Sequence, residues 1–229
     1  MKITHLGHSA LLVEEAGTRL LVDPGNFSDA PAIRALADLD GVLITHQHPD
    51  HADPSLLAAV LTANPQAVVY GEPQALHVLK EDQASAAFTD RLHDFRPGDE
   101  VTLAGVQVRG VGGLHAVIHP DIPRVHNTGL VLQAAGGGPR LGVTGDSLEV
   151  IEEFRGIDAL AFAIVAPWSK MRETIDFLRA VAPKVALPVH DAVASSQGRA
   201  IYMKQATAHA PEGTELRDWP EGERAVTLS

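Results

Sequence analysis

Three histidines and a carboxylate fall within the seven residues Thr45-His46-Gln47-His48-Pro49-Asp50-His51, directly after the apolar run Gly41-Val42-Leu43-Ile44. Side chains two apart on an extended segment project to the same side. His46 and His48 can therefore offer imidazole nitrogens to one ion as the chain leaves a strand. Pro49 turns the chain, so Asp50 and His51 lie too far round to share that ion but can hold a second. Imidazole and carboxylate suit zinc, manganese or iron, and a chain with no cysteine cannot build a thiolate site. The expected cofactor is a pair of divalent metal ions, with Zn2+ the first choice and Mn2+ or Fe2+ the alternatives.

Two ions need more ligands than this loop supplies. Three further residues of the right type follow apolar segments downstream: His115 after Val111-Gly112-Gly113-Leu114, Asp146 after Leu141-Gly142-Val143-Thr144-Gly145, and His190 after Val185-Ala186-Leu187-Pro188-Val189. His115 would complete one site with His46 and His48, and His190 the other with Asp50 and His51. Asp146, with two carboxylate oxygens, could bridge both.

The elements that must position these residues are short. Strands are expected over 3–6, 10–14, 19–22, 41–44 and 68–70, from branched and apolar residues bounded by turn formers. A helix is expected from Pro54, with Asp53 as its N-cap, and others over 30–37 and 73–80. Residues 91–145 read as strands, with Gly136-Gly137-Gly138-Pro139 as a hairpin loop. The last third alternates helix (148–154, 172–181, 199–208) with strand (159–165, 185–189, 225–228), and 212–223 reads as a polar turn. Two sets of strands flanked by helices give a mixed α/β chain, expected to form a single domain over 1–229.

The His-x-His-x-Asp-His motif resembles the signature of the metallo-β-lactamase superfamily, and the three later residues follow in the order of that superfamily's ligands. The resemblance implies a four-layer αββα sandwich with the site at one edge. It also implies that Asp23, in Leu21-Val22-Asp23-Pro24, braces the histidine loop as a supporting residue. The opening Leu6-Gly7-His8-Ser9-Ala10 and the Pro188-Val189-His190 ending are similar to the branch that includes L-ascorbate-6-phosphate lactonase, in which the histidine at the place of His8 lies near the metals. Asp50, Asp146 and His8 are the candidate catalytic residues. Zinc β-lactamases often carry a cysteine in the second site, so antibiotic hydrolysis is disfavoured here.

Residues 116–127 form an irregular stretch after His115 and read as a pocket-shaping loop. Arg124, His126 and Asn127 are its candidate substrate contacts, and Trp168 is either an apolar wall or core. A pair of cations can lower the pKa of a shared water towards neutrality and polarise the oxygen under attack. The chain carries no Gly-x-Ser-x-Gly elbow and no cysteine nucleophile. The expected activity is hydrolysis of an ester, lactone or phosphoester by a hydroxide held between two metals. The alternatives are a phosphodiesterase on a phospholipid-like or nucleotide-like substrate, a non-catalytic metal-binding sensor, and a redox di-iron protein.

The formal net charge of −11 argues against a nucleic-acid backbone as partner. No apolar run approaches the roughly 20 residues that cross a bilayer, and the N-terminus lacks the pattern of a signal peptide. The expectation is a cytoplasmic protein acting on a small-molecule substrate, away from membranes, with homo-oligomers left open.

Overall fold

The computed structural model describes residues 1–229. Its first half begins with the antiparallel strands β1 (Lys2–His5), β2 (Leu11–Glu15) and β3 (Thr18–Val22). From β3 onward the neighbours are parallel: β4 (Gly41–Ile44), β5 (Val68–Gly71) and β6 (Leu92–Asp94), joined through helices α1 (Ala30–Arg34), α2 (Pro54–Ala63) and α3 (Pro73–Glu81). The second half repeats this plan. Strands β7 (Glu100–Leu103), β8 (Val106–Leu114), β9 (His126–Ala134) and β10 (Leu141–Val143) are antiparallel. Then β11 (Ala159–Ala163), β12 (Val185–Val189) and β13 (Glu215–Leu216) run parallel, connected through α4 (Met171–Val181) and α5 (Ser196–His209). The last strand, β14 (Ala225–Thr227), returns to pair with β1. Two seven-stranded sheets result, ordered β14-β1-β2-β3-β4-β5-β6 and β13-β12-β11-β10-β9-β8-β7.

Alternation along the strands decides which side chain serves which layer. Leu20, Val22 and Leu43 point between the sheets, where they meet Val108, Leu130, Ala161 and Leu187. Their neighbours Leu21, Val42 and Ile44 point the other way, onto Leu57, Leu61 and Leu76 of α2 and α3. In the second sheet, Leu160 and Phe162 face Phe177, Leu178 and Val181 of α4, and Ala206 of α5. Central strands covered on both faces must be apolar throughout, which is why β4 and β11 read as unbroken runs. The arrangement is the four-layer αββα sandwich of the metallo-β-lactamase fold.

Local differences from the sequence reading have physical causes. Residues 148–154 form no α-helix; only a 3-10 turn, Glu152–Phe154, is present. The β-branched pair Val150-Ile151 disfavours a helix, and the Phe154 ring instead packs into the space left by Gly129 and Gly142 in the neighbouring strands. The polar stretch near the C-terminus contains β13, which takes its sheet position by pairing with β12. The irregular segment after His115 is shorter than expected, because β9 starts at His126.

The strand ends carry the residues of interest to one edge. His46 follows β4, His115 follows β8, Asp146 follows β10 and His190 follows β12. The loop after β3 lies directly against the loop after β4, with hydrogen bonds Asn26 N to Pro49 O (2.8 Å) and Asp53 N to Pro24 O (3.1 Å). Only glycine fits at the crossing: a Cβ on Gly25 would lie 1.8 Å from the Asp50 carbonyl oxygen and 2.4 Å from the His51 amide nitrogen. Gly25→Ala is therefore expected to push the two loops apart, at a cost of roughly 1–3 kcal/mol or more for forced overpacking. A fall in the urea midpoint would show this, and an unchanged midpoint would contradict it.

Candidate metal centre

The turn between β3 and α1 is held by a buried carboxylate. Asp23 sits in the left-handed region at φ 45°. Its Oδ1 accepts from the Thr45 amide, and its Oδ2 from the Thr45 hydroxyl and His51 Nδ1, each at 2.8 Å. Asp23, Thr45, His46 and His51 are all sealed from solvent. A buried carboxylate must be satisfied by donors, and these three come from the end of β4 and from the histidine loop.

The ring nitrogens of the histidines can be told apart from their partners. Backbone carbonyls only accept, so His115 Nδ1–H donates to Ala116 O (2.6 Å) and His190 Nδ1–H to Val165 O (2.9 Å). His51 Nδ1–H donates to Asp23. The Thr45 hydroxyl gives its own proton to Asp23 and so accepts from His46 Nδ1 at 3.0 Å. Four rings thus spend their N–H outward on protein oxygens and turn Nε2 inward as a lone pair. Outward hydrogen bonds of this kind fix the tautomer and the ring plane of metal-binding histidines. His48 approaches the same centre, with Nδ1 3.1 Å from His46 Nε2.

His8 is the exception. The Ala192 amide can only donate, and it donates to His8 Nδ1 at 3.3 Å. The proton of His8 is therefore on Nε2, which lies 3.1 Å from Asp50 Oδ2. His8 orients the Asp50 carboxylate instead of offering an inward lone pair.

The ligand-type atoms gather in two groups, His46, His48, His115 and Asp146, and His8, Asp50, His51 and His190; within each group they lie within 4.8 Å of one another. Asp146 reaches both. Its Oδ2 is 3.3 Å from His115 Nε2 and 3.2 Å from His190 Nε2, while its Oδ1 is 3.0 Å from His51 Nε2.

The charges suit cations. Burial would raise the Asp146 pKa, but His51 and His190 outweigh it and hold the carboxyl well below its usual range. Burial likewise acts against ionised Asp50, yet the His8 hydrogen bond brings it to about 2. Burial keeps His46 well below an ordinary histidine and lowers His48 as well. His51 goes the other way: burial disfavours its charge, but the Asp146 and Asp23 carboxylates prevail and raise it well above its usual value. With no cation bound, these carboxylates favour a second proton on His51, at the Nε2 that faces Asp146 Oδ1, and a cation would take the place of that proton. The Nε2 atoms of His115 and His190 are buried without a hydrogen-bond partner, and all the donors are nitrogen or oxygen. By these tests the residues fit divalent metal ions.

The expected substrate contacts lie elsewhere. Asn127 is buried beneath the site: its amide donates to Thr144 O (2.9 Å) and its Oδ1 accepts from the Asp146 amide (3.0 Å). Gly145, at φ 58°, makes room for it, since a Cβ there would sit 2.2 Å from Asn127 Oδ1. Asn127 therefore aims Asp146. His126, one residue earlier on β9, faces the opposite way and lines a separate polar cavity, 3.4 Å from Glu72. Arg124 donates Nε to the His115 carbonyl and lines a cavity beside the cleft. Trp168 is a wall with a polar function, its indole N–H donating to Asp146 Oδ2 at 3.0 Å. No local sequence signal announced this bond, because Trp168 and Asp146 are 22 residues apart and meet only through the fold.

The chain is similar to several known proteins. Protein Rv0786c of Mycobacterium tuberculosis is 42% identical over 228 residues, 100% of either chain. A UPF0173 metal-dependent hydrolase of Carboxydothermus hydrogenoformans is 27% identical over 205 residues, covering 83% of this chain and 84% of the other. In three dimensions, the metallo-beta-lactamase fold protein YhfI from Bacillus subtilis is similar with a TM-score of 0.67 at 18% identity, covering 95% of each chain. That likeness is one of fold. Residues 2–190, from the first strand through His190, match the family model described as the Beta-lactamase superfamily domain, and the chain belongs to that superfamily.

Proposed function

We propose that the protein is a metal-dependent hydrolase that cleaves an ester, lactone or phosphoester bond of a small molecule. The observation that carries this reading is the convergence of inward-facing Nε2 lone pairs and the Asp146 carboxylate on two adjoining centres, at an edge open to a cleft. His46, His48 and His115 would hold one cation, Asp50, His51 and His190 the other, and Asp146 would touch both. Bound divalent cations supply Lewis acidity, which makes water acidic enough to attack at neutral pH and draws electron density from the oxygen under attack.

The chain's own residues prepare that chemistry. Trp168 and Asn127 fix Asp146 from opposite ends, one at the carboxylate and the other at the backbone amide. His8 fixes one oxygen of Asp50, which lines the cleft. Asp23 holds the loop on which four of the site residues sit, so their positions are set before a ligand arrives.

Elemental analysis of protein purified without chelator is expected to find a divalent metal at both clusters, and to name it. His115→Ala and His190→Ala should each lower the content, because each removes a donor from a different cluster. Protein that takes up no metal even on reconstitution would sink the reading. Asp146→Ala is expected to abolish turnover and weaken metal retention together; normal activity in that variant would remove Asp146 from its role. Asp23→Asn touches no cation in this scheme but loosens the His51 and Thr45 contacts. It should weaken metal affinity by about 10–100-fold, as outer-sphere changes do, read by competition with a chromogenic chelator.

A further inference from the structure

Resting on the hydrolase reading above, we infer that the substrate is an uncharged carboxylic ester or lactone whose acyl part is an apolar chain or ring of several carbons. The cleft over the metal centre has a volume of about 480 Å³. Beyond the site residues, its walls are mainly Phe27, Ile118, Pro167, Trp168 and Val193. These come from four separate segments of the chain, and no strand or helix period brings them together. Phe27 is 49% exposed, and Ile118 and Val193 39% each. Large apolar side chains left open around a polar centre gain nothing for folding, and an apolar rim of this kind marks a binding surface.

The charges around the cleft point the same way. Apart from histidines, the ionisable groups lining it are Asp50 and Asp146, both of which the cations would take up, so the rest of the wall is uncharged. On the far side of Trp168 lies a second cavity of about 690 Å³, where Val117, Leu148 and Phe177 continue the apolar surface. Its charged groups are Glu149, Glu173, Asp176 and Arg124; Glu173 and Asp176 are paired with Lys170 and Arg172 at 3.8 and 4.0 Å, and Arg124 Nε is committed to the His115 carbonyl. Beyond the cations, the two linings offer only Arg124 to hold a phosphate or sulfate group, and the chain's net charge of −11 disfavours anions at longer range. A neutral acyl group avoids that penalty and covers the rim. In the reaction the acyl C–O bond breaks and the oxygen of water takes its place on the carbonyl carbon. One proton passes to the leaving alkoxide, and the other is released as the carboxylate forms.

The test uses the purified protein with its metal bound. Rates are measured on p-nitrophenyl acetate, butyrate and hexanoate, on γ-butyrolactone and γ-nonalactone, and on p-nitrophenyl phosphate and bis(p-nitrophenyl) phosphate. We expect kcat/KM to rise about twofold per added methylene, the gain for burying roughly half of each CH2, and both phosphate esters to be poor substrates. Ile118→Ser and Val193→Ser, at exposed positions where folding is little affected, should flatten the rise by lowering the hexanoate rate more than the acetate rate. Rates that are flat or falling with chain length overturn the inference. Turnover of the phosphate esters without turnover of the carboxylic esters also overturns it, while leaving the hydrolase reading in place. Metal-loaded protein inert on every compound overturns both.

Discussion

The Asp23 carboxylate is the interaction on which the rest of the site depends. It is buried and accepts three hydrogen bonds, from the Thr45 amide, the Thr45 hydroxyl and His51. Through the Thr45 hydroxyl it also sets the ring of His46. Strand β3, strand β4 and the histidine loop are thus joined at one point inside the protein. A hydrogen bond to a buried ionised group is stronger than a neutral one, and leaving such a group unmatched is costly. The left-handed backbone at Asp23 is a local strain that this network outweighs. Gly25 then lets the two loops touch.

A second constraint is the opposed protonation of the rings. His46, His51, His115 and His190 direct their N–H outward, whereas His8 directs its own inward to Asp50. The distinction follows from what each neighbour can do: Val165 O and Ala116 O can only accept, and the Ala192 amide can only donate. Histidines of similar burial, within a few ångströms of each other, are prepared for different work by single backbone groups. The same economy applies to Asp146, whose amide is set by Asn127 and whose carboxylate is set by Trp168.

Much of this was legible in the sequence, for a physical reason in each case. The residues from His46 to His51 are adjacent in the chain, so their proximity needs no fold. His115, Asp146 and His190 are distant from them, but each follows an apolar run, and β8, β10 and β12 run in the same direction, so that their C-terminal ends reach a common edge. Asn127 was harder to read. Its direction depends on β9 beginning at His126 and pairing Asn127 with Gly113, a register that no local pattern announces. The same register turns His126 away. The 148–154 segment misled because its apolar spacing suits a helix, while the partner for Phe154 is a gap at two glycines far off in sequence. The layering of the sheets came from family resemblance, since alternating strands and helices alone are compatible with several arrangements.

The residues gathered at the site run from His8 to His190 and arise from both sheets. Even the more local cluster spans residues 46 to 146, and contacts of such long sequence range carry a large loop-closure entropy. A cation finds its donors only when both sheets have closed on each other. It would therefore bind the native state more tightly than a precursor that offers only the local donors His46 to His51, and such a preference acts on folding by mass action: at a free concentration 100 times Kd, a site with no counterpart in the unfolded chain would add about 2.7 kcal/mol, and a partly preserved one less. On the metal-binding reading, metal supply in the surroundings would be one of the determinants of how long the folded chain persists.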